Sequence, residues 1–391
     1  MDDASAKLFA AAAAILWISF LGCCYSSLAI SQRLKFDGET GEFRILQVAD
    51  MHFGNGKTTR CLDVYRSEKP WCSDLNTSAF IRRMILTEKP DLIVFTGDNI
   101  FGFDATDAAA SMDMAFAPAI TSNIPWVAVL GNHDQESGLS RKAVMQHIVG
   151  MNNTLSQLNP SPDDDDDARL FVDRFGNYNL EVNGVAGSRF AHKSVLNLYF
   201  LDSGDYSTIP SVSGYGWITR PQKQWFQNTS SKLKRRYMNG PEPQKGPAPG
   251  LVYFHIPLPE FSSFDESNLT TGVMQEDVCS PSVNSGFFKA VVEAEDVKAV
   301  FVGHDHLNDF CGQLTGINLC YAGGFGYHAY GKTGWPRRAR MVSVSLGKLE
   351  DGSWGDVNSV RTWKRLDDEE LTAIDEQVLW TKTSRRKHNL D

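Results

Sequence analysis

Val297-Lys298-Ala299-Val300-Phe301-Val302-Gly303-His304-Asp305-His306 opens as an almost unbroken apolar run and stops abruptly in a glycine, two histidines and an aspartate. A short, nearly continuous apolar run suits a strand buried on both faces. The same plan recurs upstream. Residues 43–49 are apolar-rich and end at Asp50, with His52 two positions on. Leu92-Ile93-Val94-Phe95 ends in Thr96-Gly97-Asp98, and Trp126-Val127-Ala128-Val129-Leu130 ends in Gly131-Asn132-His133-Asp134. Residues 196–201 lead to Asp202, and residues 251–254 lead to His255.

Helical patterns lie between the runs, at residues 78–87, 105–120, 139–149, 221–237 and 287–295. Buried strands alternating with helices read as an α/β fold. Late strands are expected at 318–321, 339–346 and 359–363. From Asp367 the chain is charged and ends near Arg385-Arg386-Lys387, which reads as a solvated tail. Five consecutive aspartates, Asp163 to Asp167, read as a solvated loop, because like charges repel and stay extended. Residues 240–250 hold four prolines and three glycines and read as a surface loop.

The 391 residues are 42% apolar, enough for a packed core. A net charge of -9 gains nothing from counterion release, so broad nucleic-acid binding is disfavoured. Residues 1–29 read as a signal peptide: Lys7 precedes an apolar run, and Ser27-Leu28-Ala29 fits a cleavage site. A retained membrane anchor is the alternative, and a membrane contact is expected only then. Sequons at Asn76, Asn152, Asn228 and Asn268 agree with a secreted glycoprotein. Beyond Cys23 and Cys24 there are five cysteines and no CxxC pair. The favoured disulfides join the short-range pairs Cys61–Cys72 and Cys311–Cys320, leaving Cys279 free.

Where the polar residues fall is the informative feature. A lone strand-end Asp is ordinarily a cap or turn former, and a lone His is ordinarily structural. Here five separate strands deliver Asp50 and His52, Asp98, Asn132 and His133, His255, and His304 and His306 to their carboxyl ends. Ligands bind at that edge of an α/β sheet, and a set of this kind is a site in its own right.

This ordered set, Asp50-x-His52, Gly97-Asp98-Asn99, Gly131-Asn132-His133-Asp134, His255 and Gly303-His304-x-His306, resembles the calcineurin-like metallophosphoesterase signature. The stretches His255-Ile256-Pro257-Leu258-Pro259-Glu260 and Gly323-Gly324-Phe325-Gly326-Tyr327-His328 look like the plant purple acid phosphatase branch, some of whose members are labelled inactive. The resemblance runs over residues 43–363, with 364–391 as the charged tail, and implies a four-layer αββα sandwich. It implies a dinuclear site of Fe, Zn or Mn, which mixed imidazole and carboxylate ligands suit. The first metal would take Asp50, His52, Asp98 and His306, and the second Asp98, Asn132, His255 and His304, with Asp98 bridging. The expected reaction is attack of metal-activated hydroxide on a phosphomonoester. His133 is the candidate to protonate the leaving oxygen, with Asp134 orienting it, and Asn132 and His328 are candidates to touch substrate.

Two departures from the branch stand out. Phe101 occupies the position of the tyrosine that colours purple acid phosphatases, and no histidine follows His255 before His304. Glu260, Asp265 or His328 would have to substitute for that histidine, and Lys332, Arg337 or Arg338 are candidate phosphate holders. A metal-binding homologue with little turnover and a regulatory role, or a phosphodiesterase or nucleotidase on the same site, are the rival readings.

Overall fold

The structure is a computed structural model that describes residues 34–160, 172 and 174–382. The signal-like segment, the aspartate run and the basic C-terminus lie outside the described residues.

The described residues form five α-helices and thirteen strands, and the five helices and nine strands expected from the sequence occur among them in order. Strands β1 (Glu42–Val48), β2 (Leu92–Thr96) and β3 (Trp126–Val129) are parallel neighbours. They continue through β11 (Arg338–Lys348), β12 (Trp354–Leu366) and β13 (Ala373–Thr381) into a sheet of order β13-β12-β11-β1-β2-β3. A second sheet has the order β4-β5-β6-β8-β10-β9-β7. Its centre is the parallel set β5 (Ser194–Phe200), β6 (Gly250–Tyr253), β8 (Val297–Val302) and β10 (Ile317–Tyr321). The edges are β4 (Tyr178–Asn183) and β7 (Leu269–Thr271), and β9 (Cys311–Leu314) pairs between β10 and β7.

Period-two alternation explains how the layers stack. Leu198 and Phe200 of β5 join the core that includes β1, β2 and β3, whereas Tyr199 and Leu201 face Phe226 and Phe287. Phe226 belongs to helix α4 (Arg220–Asn239) and Phe287 to α5 (Phe287–Ala294). Each fully buried Leu or Phe contributes roughly 1.5–3 kcal/mol over an exposed one, so a one-residue register slip would empty two cores at once. Helices α1 (Asp74–Glu88), α2 (Ala108–Ser122) and α3 (Arg141–Val149) bury Phe80, Phe116 and Val144 in the first core. The sandwich is therefore αββα, as the resemblance implied.

The helices start at side-chain caps. Ser73, Asp107 and Ser140 accept from the first-turn amides of α1, α2 and α3, which satisfies donors that have no partner within the helix. Asn76, one of the sequon asparagines, is half-buried and accepts from Ser73 N to complete the α1 capping box.

Several sequence readings need correcting. The supposed tail holds β13, which pairs antiparallel with β12 from Ser359↔Thr381 to Arg365↔Ala373. Lys364 explains why a charged stretch stays in a sheet: its ammonium is buried against Asp309 and Asp375. Strands β4, β7 and β9 were missed because none is an apolar run: β4 alternates along a sheet edge, and β7 and β9 are three and four residues long. Cys61–Cys72 and Cys311–Cys320 are bonded, with Cα atoms 5.5 and 4.1 Å apart, and Cys279 is free and exposed. Among the described residues, no helix is long and apolar enough to cross a membrane.

Candidate metal centre

The strand ends that carry the polar residues belong to two different sheets. β1, β2 and β3 deliver Asp50, His52, Asp98 and Asn132 from the first, and β6 and β8 deliver His255, His304 and His306 from the second. Packing the sheets face to face brings the two sets together. Asp50, His52 and His306 form one cluster and Asp98, His255 and His304 another; within each, one donor atom per residue lies within 4.8 Å of the others. All six residues are buried.

Asp98 sits between the clusters. Its Oδ2 is 3.1 Å from His255 Nε2 and 3.5 Å from His52 Nε2, while Oδ1 accepts from the His133 amide at 2.8 Å. Asn132 Oδ1 is 3.2 Å from His255 Nε2. Asp50 Oδ1 is 3.5 Å from His306 Nε2 and accepts from the His304 amide. The far nitrogens of two rings are fixed by carbonyls: His255 Nδ1 lies 2.8 Å from Thr96 O, and His306 Nδ1 lies 3.0 Å from Tyr330 O. A ring whose Nδ1 donates to a carbonyl turns its Nε2 lone pair outward, the state a metal requires.

The backbone is contorted at these positions. Asp50, His52, Asp98 and His304 all have positive φ, at 56°, 47°, 47° and 78°. A non-glycine residue there costs of order 1–3 kcal/mol, and such strain gathers at functional sites. Glycines admit the close approaches: a Cβ on Gly131 would lie 2.1 Å from Asp98 Oδ1, and one on Gly97 (φ +89°) 2.5 Å from His255 Nδ1.

The donor set fits two transition-metal cations. His52 Nε2 and His304 Nε2 are buried and have no hydrogen-bond partner, an arrangement that ordinarily costs 1–3 kcal/mol per group. Burial, with the nearby His255, lowers the His304 pKa to about 3, and burial lowers those of His52 and His306 too, so these rings are neutral, the form that can ligate a metal. Burial also drives the Asp50 carboxyl well above its usual range. Asp98 and His255 behave oppositely. Burial opposes charge on both, but their mutual attraction outweighs it, pushing His255 up to about 9 and holding Asp98 well below the carboxylate range. A cation placed between them would take over the role of that proton.

The residues expected around the ligands fall less uniformly. His133 is half-buried beside the clusters, its ring 5.1 Å from that of His52. Asp134 does not orient it. Its carboxylate accepts from the amides of Asn99, Ile100 and Gly131, clamping two loops together. Burial first, and the Asp98 charge second, raise the Asp134 pKa to about 6. Glu136, which the sequence reading missed, holds His133 instead, with Oε2 2.6 Å from Nδ1. The available signal was an i+3 spacing from His133.

His328 reaches the site only through Phe101, 5.8 Å away, because its nitrogens engage Arg60 O and Asp104 Oδ2. Phe101 itself stacks on His52 at 5.5 Å. Arg337 donates to the carbonyls of Leu62, Ala329 and Tyr330, Arg338 pairs with Asp309, and Lys332 donates to Gln275. Glu260 accepts from Asn284, and Asp265 closes a turn with Ser267. None of these five contacts a ligand. Asp202, the remaining strand-end carboxylate, is paired with Arg141. Tyr327, the tyrosine of the glycine-rich stretch, donates to Asp367.

Known proteins show the family to which the chain belongs. The chain is 59% identical over 377 residues to an Arabidopsis thaliana protein named "Probable inactive purple acid phosphatase 29", covering 95% of this chain and 96% of that one. It is 32% identical over 349 residues to "Phosphatase DCR2" of Saccharomyces cerevisiae, covering 86% of this chain and 55% of the yeast protein. A solved dimetal phosphatase from Danio rerio superposes with a TM-score of 0.50 at 14% identity, covering 88% of this chain and all of that one, which speaks to the fold. The calcineurin-like phosphoesterase profile matches residues 43–308, and with that match the chain belongs to the calcineurin-like phosphoesterase family.

Proposed function

We propose that the chain hydrolyses phosphate monoesters at a dinuclear centre. The observation that carries this reading is the convergence of two buried ligand clusters on Asp98, with ring nitrogens of His52 and His304 left open. Asp50, His52, Asp98 and His306 would hold one metal, and Asp98, Asn132, His255 and His304 the other. Iron, zinc or manganese suits such ligands. When bound, the pair supplies Lewis acidity toward phosphate oxygens and a water acidified toward neutrality.

The chain's own groups do the rest. Asp98 balances two cations with one carboxylate. Glu136 fixes His133 through Nδ1, which leaves Nε2 to meet the leaving oxygen and donate its proton. Asp134 keeps the Asn99 and Gly131 loops in register, so its contribution is geometric. Two disulfides suit an oxidising compartment, and secretion is part of the reading.

A second reading, a metal-binding homologue with little turnover, draws on the Arabidopsis relative's name and on the missing histidine after His255. Metal-loaded protein assayed against a monoester, a diester and a nucleotide decides between them. Monoester turnover that disappears on chelation is the expected result. Two bound metals with no turnover on any substrate would overturn the enzyme reading in favour of the second.

A further inference from the structure

Aromatic rings wall the mouth of the centre. The Tyr215 ring meets His304 edge-on, with centroids 4.4 Å apart. Tyr206 stacks on Tyr215 at 5.5 Å and 23°, and is itself 46% exposed. The two tyrosines are bridge partners in a narrow flap between β5 and α4. Ser207 N donates to Gly214 O and Gly216 N to Asp205 O, which closes the flap. Gln135 ties its base to the ligand loop, donating to both Asn132 O and Asp205 Oδ2. The flap is thus fixed to the same loop that presents Asn132 and His133. Beside the first cluster, Phe101 lies 4.9 Å from His133, and the exposed Phe103 lies 5.9 Å from Phe101.

We infer that the leaving group of the substrate carries a planar aromatic ring, seated against Tyr206 and Tyr215. Tyrosine offers a large rigid face with few torsions to freeze on binding. Stacking needs only a π-face on the ligand and an anchored partner, and the tied flap supplies the anchored partner. The charge around the site points the same way. Arg337 and Arg338 are engaged with carbonyls and Asp309, and Lys332 with Gln275, so these cations do not serve a second phosphate. A polyol carrying many phosphates is therefore poorly matched, and a ring with one phosphate is well matched. The inference rests on the proposed binding of a phosphoryl group at the metal centre.

The test uses binding, so it does not depend on turnover. Metal-loaded full-length protein is titrated calorimetrically with inorganic phosphate, methylphosphonate, phenylphosphonate and a non-hydrolysable phosphonate analogue of adenosine monophosphate. Phenylphosphonate or the nucleotide analogue should bind about 10-fold tighter than methylphosphonate, in line with stacking of one ring on aromatic side chains; which of the two is tighter tells an aryl group from a base. In Tyr206→Ala the ring-to-methyl ratio should collapse to about 2, while Tyr206→Phe should retain it. Equal binding of methyl and ring phosphonates to the wild type overturns the inference and leaves the phosphoesterase reading standing. Failure of every anion to bind overturns both.

Discussion

Two of the buried clusters of charge are built on opposite principles. Around Asp309 the charges answer one another. Arg338 Nη1 and Lys364 Nζ lie 2.6 and 2.7 Å from Asp309 Oδ2, and Lys364 also meets Asp375 at 2.6 Å. Arg340 donates to Tyr321 O, Asp309 O and Thr362 Oγ1. Every donor of this network that the geometry names has an acceptor. At the metal centre two carboxylates and four imidazoles converge, ring nitrogens stay open, and four backbone positions sit in left-handed conformations. The first cluster closes on itself and locks β13 to the sheet. The second is a set of donors around a space, which only an added cation completes. Burial of charge is common to both, and so is a positive φ, at 54° for Asp375, so it is the orphaned ring nitrogens that distinguish a site from a brace.

The sharpest way to break this comparison is at Asp98. Asp98→Ala should release both metals and slow turnover by about 10³-fold or more, because several kcal/mol of transition-state stabilisation go with them. Elemental analysis finding two metals per chain would refute the bridge. His306→Ala and His304→Ala should each empty mainly one position, since they fall in different clusters.

The brace should respond in the other currency, stability. Asp309→Asn leaves buried cations without their carboxylate and should cost about 3–5 kcal/mol, while retaining two metals per chain. Its pH dependence follows from Asp309 itself. Burial pushes that carboxyl up, but Lys364 and Arg338 outweigh it and hold it below its usual range. A depressed carboxylate contributes stability that is complete above its unfolded pKa of about 3.9 and is lost as pH falls through the folded value. The Tm gap between wild type and Asp309→Asn should therefore be full at neutral pH and narrow below about pH 4. A gap that stays constant down to pH 2 would mean that the fold does not depress the Asp309 pKa.

Next to the ligands the two neighbours of His133 can be separated. His133→Ala should keep both metals and slow turnover about 10²–10⁴-fold. Glu136→Gln should slow it about 10–100-fold, as loss of an orienting carboxylate does. Asp134→Asn should act mainly on stability, by about 1–3 kcal/mol, because its oxygens serve backbone amides. Turnover loss that is larger in Asp134→Asn than in Glu136→Gln would restore the pairing first read from the sequence.

The smallest effect is optical. With Phe101 stacked on His52 and Tyr327 engaged with Asp367, neither position offers a phenolate to iron. The metal-loaded protein should be colourless, and an intense visible band would show that another tyrosine ligates.

The sequence alone put the candidate ligands directly at the ends of apolar strands, because local chemistry writes that pattern residue by residue. It determined the αββα class through its resemblance, and all five helices through their periodicity. Tertiary structure decided which residues meet. His133 chose Glu136 over its nearer neighbour Asp134 because the loop turns Asp134 inward, where three backbone amides need an acceptor. The charged stretch after Asp367 became a strand because Lys364 and Asp375 find partners only inside the folded sheet. The tyrosine wall belongs to the same class of fact: Tyr206 and Tyr215 are unremarkable in a loop until the pinched flap lays Tyr215 against His304 and Tyr206 on Tyr215. Strand ends are local properties of the chain, whereas contacts between loops depend on how two sheets pack, and no short window of sequence records that.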